Sequence, residues 1–137
     1  MGFKVCIALG GHAPADALLR EIEAEKGGRI GDMLFYGGGT VDLLRGEIAQ
    51  MAKEDPTLGG HGGMWESSLV MAVNPEWADL SRVEGVMDAP FPSQLQKMRP
   101  ENLARPQDAN PEFGEKLIAL AVDQAVSRAQ ALLAQTQ

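Results

Sequence analysis

The sequence is poor in cysteine, in histidine and in clustered positive charge, and each shortage excludes a class of protein. Cys6 is the single cysteine, so no disulfide can form within the chain. Its apolar surroundings, FKVCIAL, predict a buried thiol. The net charge is −7, with 12 Lys and Arg against 19 Asp and Glu, and no basic cluster interrupts the acidic excess. Nucleic acid and anionic membranes are therefore not expected as partners, because both are negatively charged.

Long apolar runs are also scarce. The first apolar stretch has about seven residues, which is short for a secretory signal, and no run approaches the roughly 18 apolar residues of a membrane span. We therefore expect a soluble, cytoplasmic protein, and the lack of a disulfide framework fits a reducing compartment. With 137 residues, of which 45% are hydrophobic, the chain has the size and apolar content of a single domain spanning residues 1–137.

Apolar stretches of strand type alternate with helical patterns along the chain. Buried strands are predicted at residues 3–9 and 31–36, and helices at 14–26, 40–53, 64–74 and 112–134. Pro14 and the pair Gly27-Gly28 bound the first helix, and residues 37–39 predict a flexible break. Thr40 and Asn110 are the predicted N-caps of the second and the last helix. Residues 75–110 are rich in proline and predict a long functional or packing loop. This alternation predicts an α/β layered fold with a mainly parallel sheet, in which ligands bind beyond the carboxyl ends of the strands.

His12 and His61 are the only histidines, and both are flanked by glycine. His12 follows Gly10 and Gly11 directly after the first predicted strand, and His61 lies in GGHGG. Glycine lets the backbone turn sharply and lets a metal or substrate come close. A neutral imidazole is the commonest metal ligand and an acid or base near neutral pH. Each residue can equally be an ordinary loop histidine.

Glu66 follows His61 by five residues, in the first turn of the helix predicted from Met64. A carboxylate there stabilises the helix N-terminus whether or not it takes part in chemistry. In a functional interpretation it binds metal, orients a histidine or transfers a proton. The spacing of the two histidines and Glu66 forms no compact metal motif, so the residues alone indicate a metal or acid–base site and leave its kind open.

Two segments resemble the signatures of the creatininase (creatinine amidohydrolase) family. The segment GHGGMWESSLVMAVNPEWADL is similar to G-H-A-G-E-x-E-T-S-L followed by an apolar helix and a proline; the matching residues are His61, Gly63, Glu66, Ser68 and Leu69. The segment GGHAPADALLREI is similar to the family's other signature, in which a buried strand leads into N-G-H-G-G-N. His12 matches the histidine of that signature. The resemblance covers residues 1 to about 80 well and the C-terminal helix loosely.

The resemblance implies a layered αβα fold with a mainly parallel sheet, and hydrolysis of a ring or amide C–N bond with one or two divalent metals. Zinc is the expected metal, with manganese or iron as alternatives. The roles it implies are metal binding for His12 and Glu66, catalysis for His61 and Glu66, and substrate binding for Gly62, Gly63 and Trp65. In these roles His61 transfers a proton near the substrate and Glu66 is the acid of the active-site helix.

The chain also departs from the family pattern. Family chains are nearly twice as long, and their N-terminal half brings a Glu-x-His pair and an Asp that this chain lacks. Pro14 stands where some members carry a metal-binding Glu, and Met64 replaces the acid of H-A-G-E. We therefore expect an incomplete domain that corresponds to the family's C-terminal half. His12 is the one clear metal ligand, with Glu66 or Asp16 as the second.

Two functions follow from these departures. In the first, the chain is a hydrolase subunit or fragment that acts on a small cyclic amide or related cyclic carbonyl compound. A second polypeptide carrying the N-terminal half, or self-association, then completes the site, and the isolated chain binds metal weakly or not at all. In the alternative, the chain is a non-catalytic assembly or binding module derived from a truncated relative, since an open sheet edge needs a partner.

Overall fold

The computed structural model describes residues 2–54, 63–82 and 106–136. The chain divides into two compact units. The first comprises Met1–Arg45 and Leu120–Gln137, and the second comprises Gly46–Ala119.

The first unit contains a three-stranded sheet with the strand order β1-β3-β2. The strands are β1 (Val5–Gly10), β2 (Arg29–Ile30) and β3 (Met33–Gly39). β1 pairs with β3 in parallel, as the alternating pattern predicted, but β2 pairs with β3 antiparallel. The sheet is therefore mixed. The short β2 was not predicted, because two residues carry no readable periodicity.

Helix α1 (Ala13–Glu25) connects β1 to the β2–β3 hairpin and packs chiefly on β3. Pro14 lies in its first turn, where the missing N–H leaves no hydrogen bond unmade. The helix ends before Gly27 and Gly28, whose φ angles of 59° and 69° are accessible to glycine without strain. Both ends agree with the helix predicted at residues 14–26.

The run Gly37–Gly39 belongs to β3, although the sequence predicted a strand that ends at residue 36 and a flexible glycine break. The reason is the close approach of α1. A Cβ at Gly37 would lie 2.7 Å from the carbonyl carbon of Leu19. Glycine at this position thus serves helix–sheet packing rather than a turn.

Helix α2 (Thr40–Glu54) begins directly after β3. Thr40 was predicted to cap this helix, but it is the first helical residue and its hydroxyl donates to the carbonyl oxygen of Gly10 at 3.1 Å. That bond joins the ends of β1 and β3. Leu44, with 1% of its surface exposed, anchors the helix in the core of the first unit.

In the second unit, α3 (Met64–Val73) packs against the start of α4 (Pro111–Ala134). Asn110 caps α4 as predicted, because its Oδ1 accepts the backbone N–H of Phe113 at 2.9 Å. Ser68 is fully buried, and its Oγ accepts the backbone N–H of Asn110 at 3.1 Å. Within the predicted loop 75–110, the described parts form 3-10 turns at Pro75–Trp77, Leu80–Arg82 and Pro106–Asp108.

Helix α4 is the one helix of the described ranges that is long and apolar enough to cross a membrane by length and composition, with a mean hydropathy of 1.3. No such segment was expected from the sequence, in which no uninterrupted apolar run is long enough. A window average tolerates the charges of Asp123 and Arg128. A buried core helix of a soluble protein can pass the same test, but only 6% of this window is buried. One such helix is weak evidence, and we assign no membrane partner from it.

Candidate functional site

His12 lies two residues beyond the end of β1, at the carboxyl edge of the parallel strand pair where the sequence analysis placed it. It is the N-cap residue of α1, with extended backbone angles (φ −152°, ψ 135°), and its side chain makes no capping hydrogen bond. The residue is exposed. Its imidazole is therefore accessible to a ligand at the end of the sheet.

Asp16 is the buried polar residue of this region, with 7% of its surface exposed. Its backbone N–H donates to the carbonyl of His12 at 3.0 Å, which fixes the two residues one helical turn apart. Its Oδ1 atom is buried and has no hydrogen-bond partner in the described part of the chain. An unpartnered buried carboxylate oxygen is uncommon in folded proteins, because burial without a partner is destabilising.

The carboxylate of Asp16 occupies a space that two glycines leave open. Gly10 and Gly39 are register partners at the ends of β1 and β3. A Cβ at Gly39 would lie 2.5 Å from Cγ of Asp16, and one at Gly10 would lie 3.3 Å from it. We call Asp16 with these two glycines the glycine cradle.

A second carboxylate near the strand ends, Asp42, is fully engaged. It accepts the backbone N–H of Gly39 at 2.8 Å and forms an ion pair with Arg20 of α1. The sequence analysis named neither residue, since an Asp in the first turn of a helix is usually explained by the helix alone. The charge of Asp42 is thus compensated by the fold, whereas Oδ1 of Asp16 has no hydrogen-bond partner among the described residues.

The residues predicted around the second signature lie at the start of α3, as far as they are described. Gly63 is buried and is the N-cap of α3 without a side-chain capping bond. Trp65 and Glu66 follow in the first turn and are half-buried. His61 and Gly62 lie outside the described residues, so the roles predicted for them stay predictions. Ser68, which also matches the signature, is used in packing against Asn110.

Across residues 2–54, 63–82 and 106–136, no three His, Cys, Asp or Glu side chains are placed to hold a metal ion. His12 and Asp16 nevertheless carry the donor atoms that divalent cations take in proteins, an imidazole nitrogen and a carboxylate oxygen. They are two ligands, whereas a catalytic zinc usually has three from protein. The described residues therefore offer part of a metal shell.

Two further polar features lie away from His12. An open cavity of about 280 Å³ is lined by Asp42, Leu43, Gln124, Ser127, Arg128 and Ala131. The guanidinium of Arg128 lies 4.7 Å from the centre of the Tyr36 ring, a cation–π contact. The sequence analysis did not identify this pair, because nothing in their spacing brings two such distant residues together.

The carboxyl of Asp79 belongs to a surface turn rather than to the predicted site. The Ser81 hydroxyl donates to its Oδ1 at 2.5 Å and is the main cause of a pKa below the ordinary aspartate value. The backbone N–H of Ser81 and the neighbouring Arg82 act in the same direction, and desolvation opposes them. This shift is explained within the turn and indicates no catalytic role.

Comparison with family models gives one match that covers most of the chain. The creatininase model, described as creatinine amidohydrolase, matches residues 1–129 of 137. No curated protein and no solved structure gives a match. The family match includes both glycine–histidine signatures and the strand, helix and strand that carry the glycine cradle. The chain therefore belongs to the creatininase family, a family of amidohydrolase-type hydrolases.

Proposed function

We propose that this chain contributes to the active site of a metal-dependent hydrolase that opens a small cyclic amide or a related cyclic carbonyl compound. The observation that carries the proposal is the position of His12 in a member of the creatininase family. Its imidazole is exposed at the carboxyl end of β1, which is where parallel strand pairs place ligands.

In this function His12 binds a divalent metal, with zinc the first candidate and manganese or iron the alternatives. A bound metal of this kind lowers the pKa of a bound water and polarises a carbonyl. Glu66 contributes either as a second ligand or as a catalytic carboxylate. It lies in the first turn of α3, where a carboxylate interacts favourably with the N-terminal end of the helix.

His61 is the proton-transfer group of the proposal. In the sequence it lies between two pairs of glycines, and glycine lets a substrate come close to a neighbouring side chain. A positioned histidine can pass a proton to a leaving nitrogen, which typically contributes 10²–10⁴-fold to rate. Gly62, Gly63 and Trp65 form the expected substrate contact next to it. The burial of Gly63 and the partial burial of Trp65 fit a pocket wall at the start of α3.

The remaining ligands come from a second polypeptide or from another copy of this chain. The chain has two histidines, and its described residues hold no group of three metal-binding side chains. Since a catalytic zinc usually takes three protein ligands, groups from outside this chain complete the shell. The isolated chain should accordingly bind metal weakly or not at all.

The test is an activity assay on the assembly that contains this chain, purified from its own cells and supplied with a panel of small cyclic amides. His61→Asn should lower kcat by roughly 10² or more while bound metal is retained. His12→Gln should lower both activity and metal content. Glu66→Gln should lower activity, whereas its matched control, Glu76→Gln on an exposed turn, should not.

Ring opening at wild-type rates in both histidine variants would overturn the proposal. Absence of hydrolysis across the panel, with a stable assembly that holds no metal, would favour the non-catalytic module instead.

A further inference from the structure

We propose that Asp16 is the carboxylate that binds the divalent metal together with His12. This inference rests on the proposed function. The sequence left either Glu66 or Asp16 as the second metal ligand, and the inference selects Asp16. The juxtaposition that carries it is an exposed imidazole one helical turn from a buried, unpartnered carboxylate at the end of a parallel strand pair.

The burial of Asp16 requires an explanation that helix stability does not supply. An acidic residue in the first turn of α1 would interact favourably with the helix N-terminus while fully exposed. Asp16 is instead 93% buried (7% exposed), and its Oδ1 accepts no hydrogen bond within the described ranges. A charge buried in this way is strongly destabilising unless a partner compensates it.

The glycine cradle indicates that the position of the carboxylate is built into the fold. Gly10 and Gly39 are paired at the last position of the β1–β3 register. A side chain at either position would collide with Asp16, since Cβ atoms there would lie 3.3 Å and 2.5 Å from its Cγ. The neighbouring Gly11 shows no such contact within 4 Å.

His12 is the N-cap residue of α1, and Asp16 follows it by four residues in the first turn of the helix. The bond from the Asp16 N–H to the His12 carbonyl holds that spacing. The N-terminus of α1 itself disfavours a cation. That effect falls off within one turn and is small beside the destabilisation of an uncompensated buried carboxylate.

Asp42 supplies the internal contrast. It lies near the same strand ends, yet Arg20 and the Gly39 N–H compensate its charge, so it has no need of a cation. Among the described residues, Oδ1 of Asp16 has no hydrogen-bond partner. One carboxylate oxygen of Asp16 and one imidazole nitrogen of His12 are donors that suit zinc or manganese.

The test is a Mn²⁺ titration of the metal-stripped full chain, followed by the electron paramagnetic resonance signal of free Mn²⁺. The wild type should bind one Mn²⁺ weakly. Asp16→Asn and His12→Gln should each raise the Kd at least roughly tenfold, because even outer partners of a metal ligand are worth 10–100-fold. Asp32→Asn, an exposed aspartate in the β2–β3 turn, is the matched control and should leave the Kd unchanged.

A second readout separates a ligand from a packing residue. In the presence of a chelator, Asp16→Asn should melt at the wild-type temperature or above it, because the substitution removes an uncompensated charge. A residue that serves only packing would lower the Tm when changed. If Asp16→Asn does not fold, Asp16→Ser, which removes the carboxylate and adds no bulk, decides the question.

The outcomes also separate this inference from the proposed function. Weaker binding in His12→Gln but wild-type binding in Asp16→Asn would overturn the role of Asp16 and support that of His12. Wild-type binding in both variants would overturn the inference and the metal role of His12. No binding by the wild-type chain would overturn the inference, while the hydrolase assay on the whole assembly would still decide the function.

Discussion

Two buried polar residues lie against glycine, one in each compact unit. Ser68 lies where α3 meets α4, with its backbone carbonyl against Gly114, and Asp16 lies at the ends of β1 and β3 with its carboxylate in the glycine cradle. The hydroxyl of Ser68 accepts the backbone N–H of Asn110, whereas Oδ1 of Asp16 has no partner among the described atoms. Packing and hydrogen bonding within the fold explain the burial of Ser68 completely. They leave the burial of the Asp16 carboxylate only partly explained.

The comparison shows that a glycine contact has two uses in this chain. Gly114 lets α3 and α4 approach closely at the backbone carbonyl of Ser68, whose own hydroxyl is satisfied by Asn110, so this glycine has a packing role. The cradle glycines instead make room for a carboxylate whose Oδ1 has no hydrogen-bond partner in the described ranges. A buried polar group that lacks a hydrogen-bond partner therefore indicates a candidate binding site. A buried polar group that has its partner is explained by packing alone.

The largest expected effect is in the packing region. Gly114→Ala places a Cβ 2.5 Å from the carbonyl carbon of Ser68, so α3 and α4 must separate. Overpacking of this kind costs about 1–3 kcal/mol, occasionally more, and here it exceeds the gain in helix propensity. The free energy of unfolding from urea denaturation measures it.

Gly46→Ala is the matched control, because Gly46 is also helical and a Cβ there meets nothing within 4 Å. It should stabilise the chain by about 0.5–1 kcal/mol. A loss of stability at Gly46 equal to that at Gly114 would contradict the packing interpretation.

The next effect tests the cradle. Gly39→Ala should destabilise the chain by about 1–3 kcal/mol, because its Cβ displaces the carboxylate of Asp16. In an Asp16→Ala background the same substitution should be distinctly milder, and the double-mutant cycle gives the coupling directly. Gly11→Ala, which has open space, serves as the control. Additive free energies would show that the glycine and the carboxylate do not interact.

Ser68→Ala should have a smaller effect. It leaves the backbone N–H of Asn110 without an acceptor, which costs about 1–3 kcal/mol for a buried donor, less what the repacking of the alanine recovers. Ser127→Ala on the exposed face of α4 should stay within about 0.5 kcal/mol. Thermal denaturation of the two variants makes the comparison, and equal Tm values would remove the structural role assigned to Ser68.

The smallest expected effect is on the pKa of Asp79, an exposed carboxylate that accepts a hydrogen bond from Ser81. Ser81→Ala should raise the pKa of Asp79 towards its ordinary value, because the hydroxyl is the main cause of its lowering. A lowered folded-state pKa stabilises the fold above the unfolded pKa, and that contribution disappears as pH falls through the folded value. An NMR titration of Asp79 measures the change, and an unaltered pKa would rule out the Ser81 bond as its cause.

Sequence patterns predicted the elements whose ends carry chemical signals. Pro14 and the pair Gly27–Gly28 bound α1, and Asn110 caps α4, as expected. The glycine run in β3 was misassigned because glycine usually interrupts a strand, and only the approach of α1 explains it. The family was predicted from two short signatures, and the match over residues 1–129 confirms it.

The candidate site was less predictable. The position of His12 followed from the strand that precedes it, since chain order alone determines what comes after β1. The burial of Asp16 did not, because an acid in the first turn of a helix is normally exposed. Its role depends on the pairing of Gly10 with Gly39, which are distant in sequence and adjacent only in the sheet.

The most direct test of the account is the composition of the native assembly. Native mass spectrometry and metal analysis of the material purified from its own cells should show this chain bound to a second polypeptide or to further copies. The assembly should carry at least one zinc, manganese or iron per chain, and His12→Gln should lose that metal. A metal-free single chain, or an assembly whose metal content is the same in His12→Gln, would contradict the account.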